Sequence, residues 1–292
     1  MKLSNIFLST LAVLLCCTAC SKDEESFKGK DADASLSIAV KAAGSAVTKG
    51  FHPNDENELA GEAKVNNLSV LVFDESGAQL IGYGWQATNS EGEASILNVP
   101  AMTMRAQIVI VSNTPENSLA GVTSYSDFES KLAQLADQSQ SNLVMSSPVI
   151  TTQAPLVKGD NYLGYASMGS ENINGIAEPV EITRLAARLD LVNVKTDFTK
   201  TLLRNRTVRV EEVTILNQST ASRFFSRDYW GVVMATGHLG NSDATALNCD
   251  IANGSPINDT PYVHYVMEND GSEAPTEIQV RATLLETDTY EA

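Results

Sequence analysis

Cysteine and histidine are scarce in this sequence. Its 292 residues include 4 cysteines and 3 histidines. Only Cys249 lies beyond the first twenty residues, so an internal disulfide in the body of the chain is excluded. The histidines stand far apart in the sequence, at 52, 238 and 264. Beyond residue 20 there is no HExxH, CxxC or P-loop motif, and no GxGxxG motif follows a predicted strand. The residues therefore disfavour an enzyme and indicate neither a metal nor a cofactor.

Basic residues are also in deficit, because 20 lysines and arginines oppose 36 aspartates and glutamates. The net charge of −16 argues against nucleic acid as a partner, since phosphate backbones are bound by clustered Lys and Arg.

Long apolar runs are missing too. The run at 6–15 is shorter than the about 20 residues that a membrane-spanning helix needs.

The N-terminus has the pattern of a bacterial lipoprotein signal. Lys2 precedes the apolar run, which ends close to Thr18-Ala19-Cys20, and the polar tether SKDEES follows directly. This pattern predicts a signal peptide at 1–19, cut between Ala19 and Cys20, with lipid on Cys20. An ordinary signal peptide cut near Ala19, with an incidental cysteine, is the alternative. Acyl chains on Cys20 would hold the protein on a membrane.

The body of the chain consists of short alternating apolar runs divided by Gly, Asn, Asp and Pro. Such runs at about ten-residue spacing indicate β-sandwiches. We therefore predict a mainly β protein with one or two short helices, and two domains, at 50–182 and 189–292. The clearest predicted strands are 36–40, 68–73, 105–111, 189–194, 208–216, 230–234, 262–268 and 277–285.

One helix is predicted in SYSDFESKLAQLADQ. Ser126 with Glu129 three residues later fits a capping box. The apolar stripe of this helix is predicted to pack into the core and consists of Phe128, Leu132, Leu135 and Ala136.

An aromatic cluster in SRFFSRDYWG admits two interpretations. Aromatic and arginine side chains dominate the energetics of protein interfaces, so the cluster is a possible interaction site. The alternative is a strand edge and turn whose aromatic side chains fill the core of the second domain. The residues concerned are Arg223, Phe224, Phe225, Tyr229 and Trp230.

Several segments in order carry a family resemblance. After the lipoprotein pattern come a first strand, a basic residue with Gly-Phe, and GEAKVNNLSVLVF. Later come LVMSSP, KGDNYLGY, PVEITRLAARLDLVNVKT and YVMENDGSEAPTEIQVRATL. Together they resemble the FimA-type fimbrillins, the shaft subunits of the type V fimbriae of the Bacteroidales.

The resemblance implies a structural role in a surface fimbrium that supports adhesion. It implies two transthyretin-like β-sandwich domains and export as a lipoprotein to the outer membrane. A protease would then remove a propeptide, here 20–49, together with its strand, whose inward residues are Leu36, Ile38 and Val40. A strand from another fimbrial subunit would fill the groove that is left, and repetition would build the fibre.

The processing bond predicted by the resemblance falls at Lys49-Gly50. The best-known members carry arginine there, whereas this chain has no arginine before Arg105. We therefore expect a lysine-directed or trypsin-like protease. Lys41 is a weaker candidate because it ends the strand itself.

The far end of the chain departs from the family as well. Members continue beyond the region that matches IQVRATLLETDTYEA, so the second domain is expected to be incomplete at Ala292. The chain would then be a fragment, or a subunit that accepts a strand without donating one. The alternative functions are a surface-anchored tip, anchor or accessory lipoprotein that binds a glycan or protein, and an extracytoplasmic hydrolase.

Overall fold

A computed structural model describes residues 32–43, 59–191, 195–224, 243–252, 262–269 and 275–285. The fold is mainly β, as predicted. In the N-terminal half, up to Arg184, the described residues form ten strands: β1 (Ala34–Ala42), β2 (Lys64–Asp74), β3 (Leu80–Glu91), β4 (Glu93–Ala101), β5 (Ala106–Ser112), β6 (Leu132–Gln134), β7 (Met145–Ser146), β8 (Ile150–Thr151), β9 (Gly159–Leu163) and β10 (Val180–Arg184).

The C-terminal half is also built from strands. They are β11 (Ala186–Leu191), β12 (Thr207–Leu216), β13 (Ala221–Arg223), β14 (Asp243–Ala252), β15 (Tyr262–Met267) and β16 (Glu277–Leu285). The described helices are short: α1 (Tyr125–Ser130) and the 3-10 turns Leu135–Asp137, Ala166–Glu171, Ile173–Gly175 and Thr201–Leu203. Over the ranges that the structure describes, no helix is long and apolar enough to cross a membrane.

A nine-stranded sheet forms the N-terminal half, in the order β3-β2-β5-β7-β10-β1-β4, with β8 beside β5 and β9 beside β1. The sheet curls so that its two end strands meet: a Cβ on Gly82 of β3 would lie 2.7 Å from the carbonyl oxygen of Pro100 on β4. The curled sheet encloses the first core, to which β1, β2, β4, β5 and β10 contribute.

A second core lies on the other face of β2 and β5. Alternate residues of a strand face opposite sides, so Val70 and Val72 enter the first core and Leu71 and Phe73 the second. Both faces of these strands are buried, which explains the unbroken apolar run at 70–73. The second core also receives α1 and parts of the C-terminal half, so it joins the two halves.

The C-terminal half forms smaller sheets among the described residues. β12 pairs with β14 on one side and β16 on the other, and β11 pairs with β15. β13 pairs with β6 of the N-terminal half and crosses between the halves. The predicted strands at 105–111, 208–216, 262–268 and 277–285 match observed strands to within one residue at each end, and those at 36–40 and 68–73 lie inside the longer strands β1 and β2. The 189–194 strand begins three residues earlier, and 230–234 lies outside the described residues.

The predicted helix is wrong in its start and its length. The N-cap is Ser124, whose hydroxyl accepts a hydrogen bond from Asp127 N at 3.1 Å, and the helix ends at Ser130. Ser126 lies inside the helix. Of the predicted stripe, Phe128 is fully buried, while Leu132 lies on β6 and Leu135 begins a 3-10 turn.

Candidate functional site at strand β1

Strand β1 is an interior strand of its sheet, beside the end strand β4, and is apolar on its inward face. Leu36, Ile38 and Val40 have no exposed surface and pack in the first core with Ala34. Burying each large apolar side chain contributes roughly 1.5–3 kcal/mol. The first core is therefore completed by a strand that lies before residues 44–58, a segment outside the described residues.

Both edges of β1 are hydrogen-bonded to other strands. β4 runs antiparallel along one edge, with Leu36 opposite Val99 and Ile38 opposite Ile96. The other edge is shared by two parallel strands, β9 along Ala34–Ile38 and β10 along Val40–Ala42. We call the channel between β4 on one side and β9 and β10 on the other the β1 slot.

Polar side chains fix β1 lengthwise in the slot. The Ser35 hydroxyl donates to Asp160 Oδ1 at 2.6 Å, and Asn161 Nδ2 donates to the Ser35 carbonyl at 3.1 Å. Just before β1, Asp33 Oδ1 accepts from Thr103 N at 2.8 Å. Hydrogen bonds from Thr103 lower the pKa of Asp33. Contacts of this kind resist sliding of the strand along its neighbours.

Two further contacts lie farther along β1. Asn98 N donates to the Ser37 hydroxyl at 3.3 Å. Lys41 Nζ lies 3.3 Å from Glu181 Oε1, and Glu93 of β4 is the partner of Lys41 on the opposite edge. These contacts are made by side chains that point away from the first core.

Gly164 allows β1 to pass between β9 and β10. A Cβ at this position would lie 2.6 Å from the Ala39 carbonyl oxygen. Its φ of +86° also belongs to the left-handed region, which favours glycine. The residue therefore admits the strand's backbone where its pairing changes from β9 to β10.

The three residues predicted for the inward face of the displaced strand thus lie together in the first core. The structure puts Leu36, Ile38 and Val40 on one face of β1. The predicted lipidation and signal-cleavage residues, Ala19 and Cys20, and the predicted processing bond, Lys49-Gly50, lie outside the described residues.

The structure describes only two of the five residues of the aromatic cluster, Arg223 and Phe224. Phe224 is 5% exposed and stacks on Phe128, with ring centroids 5.8 Å apart. It therefore belongs to the second core and is not an exposed contact residue. Arg223 ends β13. The remaining members, Phe225, Tyr229 and Trp230, lie outside the described residues.

A buried charged cluster was not predicted from the sequence. Glu62, shortly after segment 44–58, accepts hydrogen bonds from Arg188 Nη1 at 2.6 Å and from the Tyr265 hydroxyl at 2.7 Å. Burial, and then the hydrogen bond to Glu62, raise the pKa of Tyr265. Because its partners lie 126 and 203 residues away, no local pattern signals the cluster. It fastens the chain after this segment to the C-terminal half.

In the parts of the chain that the structure describes, no group of three His, Cys, Asp or Glu side chains is placed to hold a metal ion. His264 lies on β15 with Nε2 2.8 Å from Gln218 Oε1. His52 and His238 are outside the described residues.

These features define a class: a mainly β protein whose first core is completed by an early strand. Family models agree with this class. Residues 34–184 match the major fimbrial subunit protein (FimA) family, and residues 185–292 match the C-terminal domain of the fimbrium tip subunit Fim1C-like family.

Individual relatives support the same assignment. A Parabacteroides distasonis protein named as a candidate fimbrium tip subunit, Fim1C, is 46% identical over 99% of this chain and 77% of its own length. A FimA type-2 major fimbrium subunit of Porphyromonas gingivalis is 26% identical over 87% of this chain, which spans only 59% of that relative. The chain belongs to the family of FimA- and Fim1C-like fimbrial subunits.

Solved structures agree on the fold. A candidate cell adhesion protein of Parabacteroides distasonis superposes with a TM-score of 0.82 at 45% identity, covering 88% of this chain and 77% of that one. A fimbrilin (FimA) of Porphyromonas gingivalis, at 18% identity and a TM-score of 0.53, covers 87% of this chain and 71% of that one. The similarity to this fimbrilin shows that the two chains share a fold and nothing further.

Proposed function

We propose that this fimbrial subunit is a structural, non-enzymatic adhesion subunit at the fimbrium tip, which joins the fibre by accepting a partner's strand in place of β1. The tip position is favoured over the shaft by the 46% identity to the candidate tip subunit Fim1C. The match of residues 185–292 to the tip-subunit domain model points the same way.

The observation that carries strand acceptance is the position of β1. Leu36, Ile38 and Val40 are fully buried, yet β1 precedes the rest of the fold and segment 44–58 lies between them. Removing it would expose unpaired N–H and C=O groups on β4, β9 and β10, which form a template for another strand. The contact between subunits would be head-to-tail, and such contacts build filaments.

Maturation follows from the same proposal. The precursor is lipidated at Cys20 and held on the outer membrane, and a lysine-directed protease then cuts at Lys49-Gly50. Cutting there would separate residues 20–49, including β1, from the body, which stays folded around the second core.

The test is mass spectrometry of fimbriae sheared from cells. Assembled copies are expected to begin at Gly50, and Lys49→Ala should keep the chain uncut and out of the fimbriae. Lys30→Ala, in the same propeptide, is the matched control and should assemble normally. If every assembled copy retains an acylated Cys20, strand exchange is wrong and a membrane-retained anchor subunit is favoured.

The tip position has a test of its own. An antibody to an epitope tag in the body of the protein should label one end of each fibre in electron micrographs. Label along the whole fibre would contradict the tip position and identify a shaft subunit.

A further inference from the structure

Side chains that touch β1 would also touch any strand that replaces it. We infer that the β1 slot selects a partner strand with a hydroxyl residue facing Asn98 and, four residues later, a basic residue between Glu93 and Glu181. This inference rests on the proposed strand acceptance. It goes further by specifying the chemistry, register and direction of the strand that is accepted.

The backbone of the slot cannot make this selection. β4 runs antiparallel to β1, whereas β9 and β10 run parallel to it. A strand of either direction would therefore be parallel to one edge and antiparallel to the other. Apolar alternation alone also permits slips by two residues, because side chains repeat with a period of two. Direction and register must come from other contacts.

The hydroxyl subsite arises from an irregularity in β4. The register shifts between Leu36 and Ile38, so one residue of β1 faces two of β4. Asn98, in this bulge, has a φ of +55°. Its N–H donates to the Ser37 hydroxyl, which is 7% exposed. Asn98 itself is exposed and the hydrogen bond is partly buried. A residue without a hydroxyl at this place would leave that N–H without its protein acceptor and lose the net contribution of the bond.

The basic subsite lies at the far end of the slot. Lys41 has Glu93 as its partner on β4 and Glu181 as its partner on β10, with Nζ 3.3 Å from Glu181 Oε1. Neighbouring strands lie about 4.8 Å apart, so a residue here sits between two carboxylates. A basic side chain is attracted by both, and an acidic one is repelled by both.

The spacing of the two subsites sets direction. The hydroxyl subsite comes first and the basic subsite four residues later, both on the outward face of β1. A reversed strand presents the basic residue before the hydroxyl, and a slipped strand misses both subsites. Apolar side chains supply most of the binding energy, while these two contacts discriminate among apolar strands.

The experiment uses the full chain with a site-specific protease sequence inserted between Lys49 and Gly50. After cutting, β1 stays bound without a covalent link, and fluorescent peptides compete for the slot. The reference peptide has the sequence of residues 32–43. Its variants carry Lys41→Glu, Ser37→Ala, or the lysine moved from position 41 to position 39, which preserves net charge.

The reference peptide is expected to enter and stay. The Lys41→Glu peptide should bind about tenfold more weakly, because Glu93 and Glu181 would repel the new carboxylate. The Ser37→Ala peptide should bind about fivefold more weakly, as the loss of one hydrogen bond predicts. The moved lysine should also bind more weakly than the reference. In a protein carrying Glu93→Gln and Glu181→Gln, the difference in affinity between the reference peptide and its Lys41→Glu variant should fall below about twofold.

The outcomes separate this inference from the proposed function. Equal binding by all peptides that keep the apolar alternation would overturn the two subsites and leave strand acceptance standing. Failure of every peptide, including the reference, to replace β1 would overturn strand acceptance itself. Discrimination that persists in the double glutamine protein would assign the charge selection to other residues.

Discussion

The two cores of the N-terminal half share β2 and β5 but are completed in different ways. The first core is completed by β1, which precedes segment 44–58. The second is completed by α1 and by Leu185, Phe224 and Met267, which belong to the main body of the chain. One face of the same strands thus packs against β1 and the other does not.

Under the proposed function, the difference would let the subunit lose an interior strand and remain folded. Local stability in proteins varies with the contacts of each region. The second core contains no residue of β1, and the cluster of Glu62, Arg188 and Tyr265 holds the chain just after segment 44–58. Four predictions test this comparison.

The largest expected effects come from truncating one residue in each core. Phe128→Ala should lower the free energy of unfolding by about 3–5 kcal/mol and Ile38→Ala by about 2–5 kcal/mol, because each leaves a cavity. Urea unfolding of the intact chain measures both.

After cutting and replacement of β1 by the reference peptide, only Phe128→Ala should still destabilise the body. The fluorine NMR signal of fluorotyrosine at Tyr125, assigned with a Tyr125→Phe variant, then follows packing in the second core. If that signal is lost whenever β1 leaves, the two cores unfold as one unit and the comparison fails.

The next effect concerns how closely β1 is packed. Gly164→Ala should cost about 2–4 kcal/mol, since the new Cβ meets the Ala39 carbonyl and the backbone is left-handed. Gly159→Ala is the matched control: its φ is +88°, but the described residues place no atom within 4 Å of the new Cβ. Gly159→Ala should lower the free energy of unfolding by only about 1–2 kcal/mol, the cost of a left-handed backbone at a residue with a Cβ. Equal losses of stability in the two variants would show that contact with β1 is unimportant.

A smaller effect is expected at the buried charged cluster. Tyr265→Phe should cost about 1–3 kcal/mol at neutral pH, because Glu62 Oε1 loses its donor. The raised pKa of Tyr265 means that the neutral hydroxyl is favoured in the folded state. Its contribution is therefore complete below the ordinary tyrosine pKa of about 10 and is lost as pH rises beyond it.

Urea midpoints measured across this pH range should show the wild type approaching Tyr265→Phe above about pH 10. A constant gap at all pH values would contradict the role of the hydroxyl proton. Tyr162→Phe is the control, since Tyr162 lies on β9, away from this cluster.

The smallest effect is expected at the start of β1. Asp33→Asn should speed the loss of β1 from the cut protein, because the charged acceptor for Thr103 N is gone. The lowered pKa of Asp33 means that its contribution is present above the ordinary value of 3.8 and disappears as pH falls below it.

Wild type and Asp33→Asn should therefore release β1 at the same rate in strong acid and differ near neutral pH. The matched control is Asp137→Asn, an exposed acidic residue remote from β1. If Asp137→Asn has the same effect as Asp33→Asn, the change reflects net charge and not the contact with Thr103.

Local patterns predicted the strands better than the helix. Alternation located β1 and β12 within a residue or two, because one-sided burial imposes a period of two. The helix start was ambiguous: Ser124 and Ser126 each have an acidic residue three positions later. Ser124 is the cap, and a helix beginning there places both Tyr125 and Phe128 in the second core.

The sequence by itself determined the mainly β fold, the alternation that makes Leu36, Ile38 and Val40 inward-facing, and the family resemblance. These properties depend on residues that are close in the chain. Only the tertiary structure decided which strands flank β1, that Gly164 touches its backbone, and that Glu93 and Glu181 face each other across Lys41. Those contacts join residues brought together only by folding, and many pairings are compatible with the same local pattern.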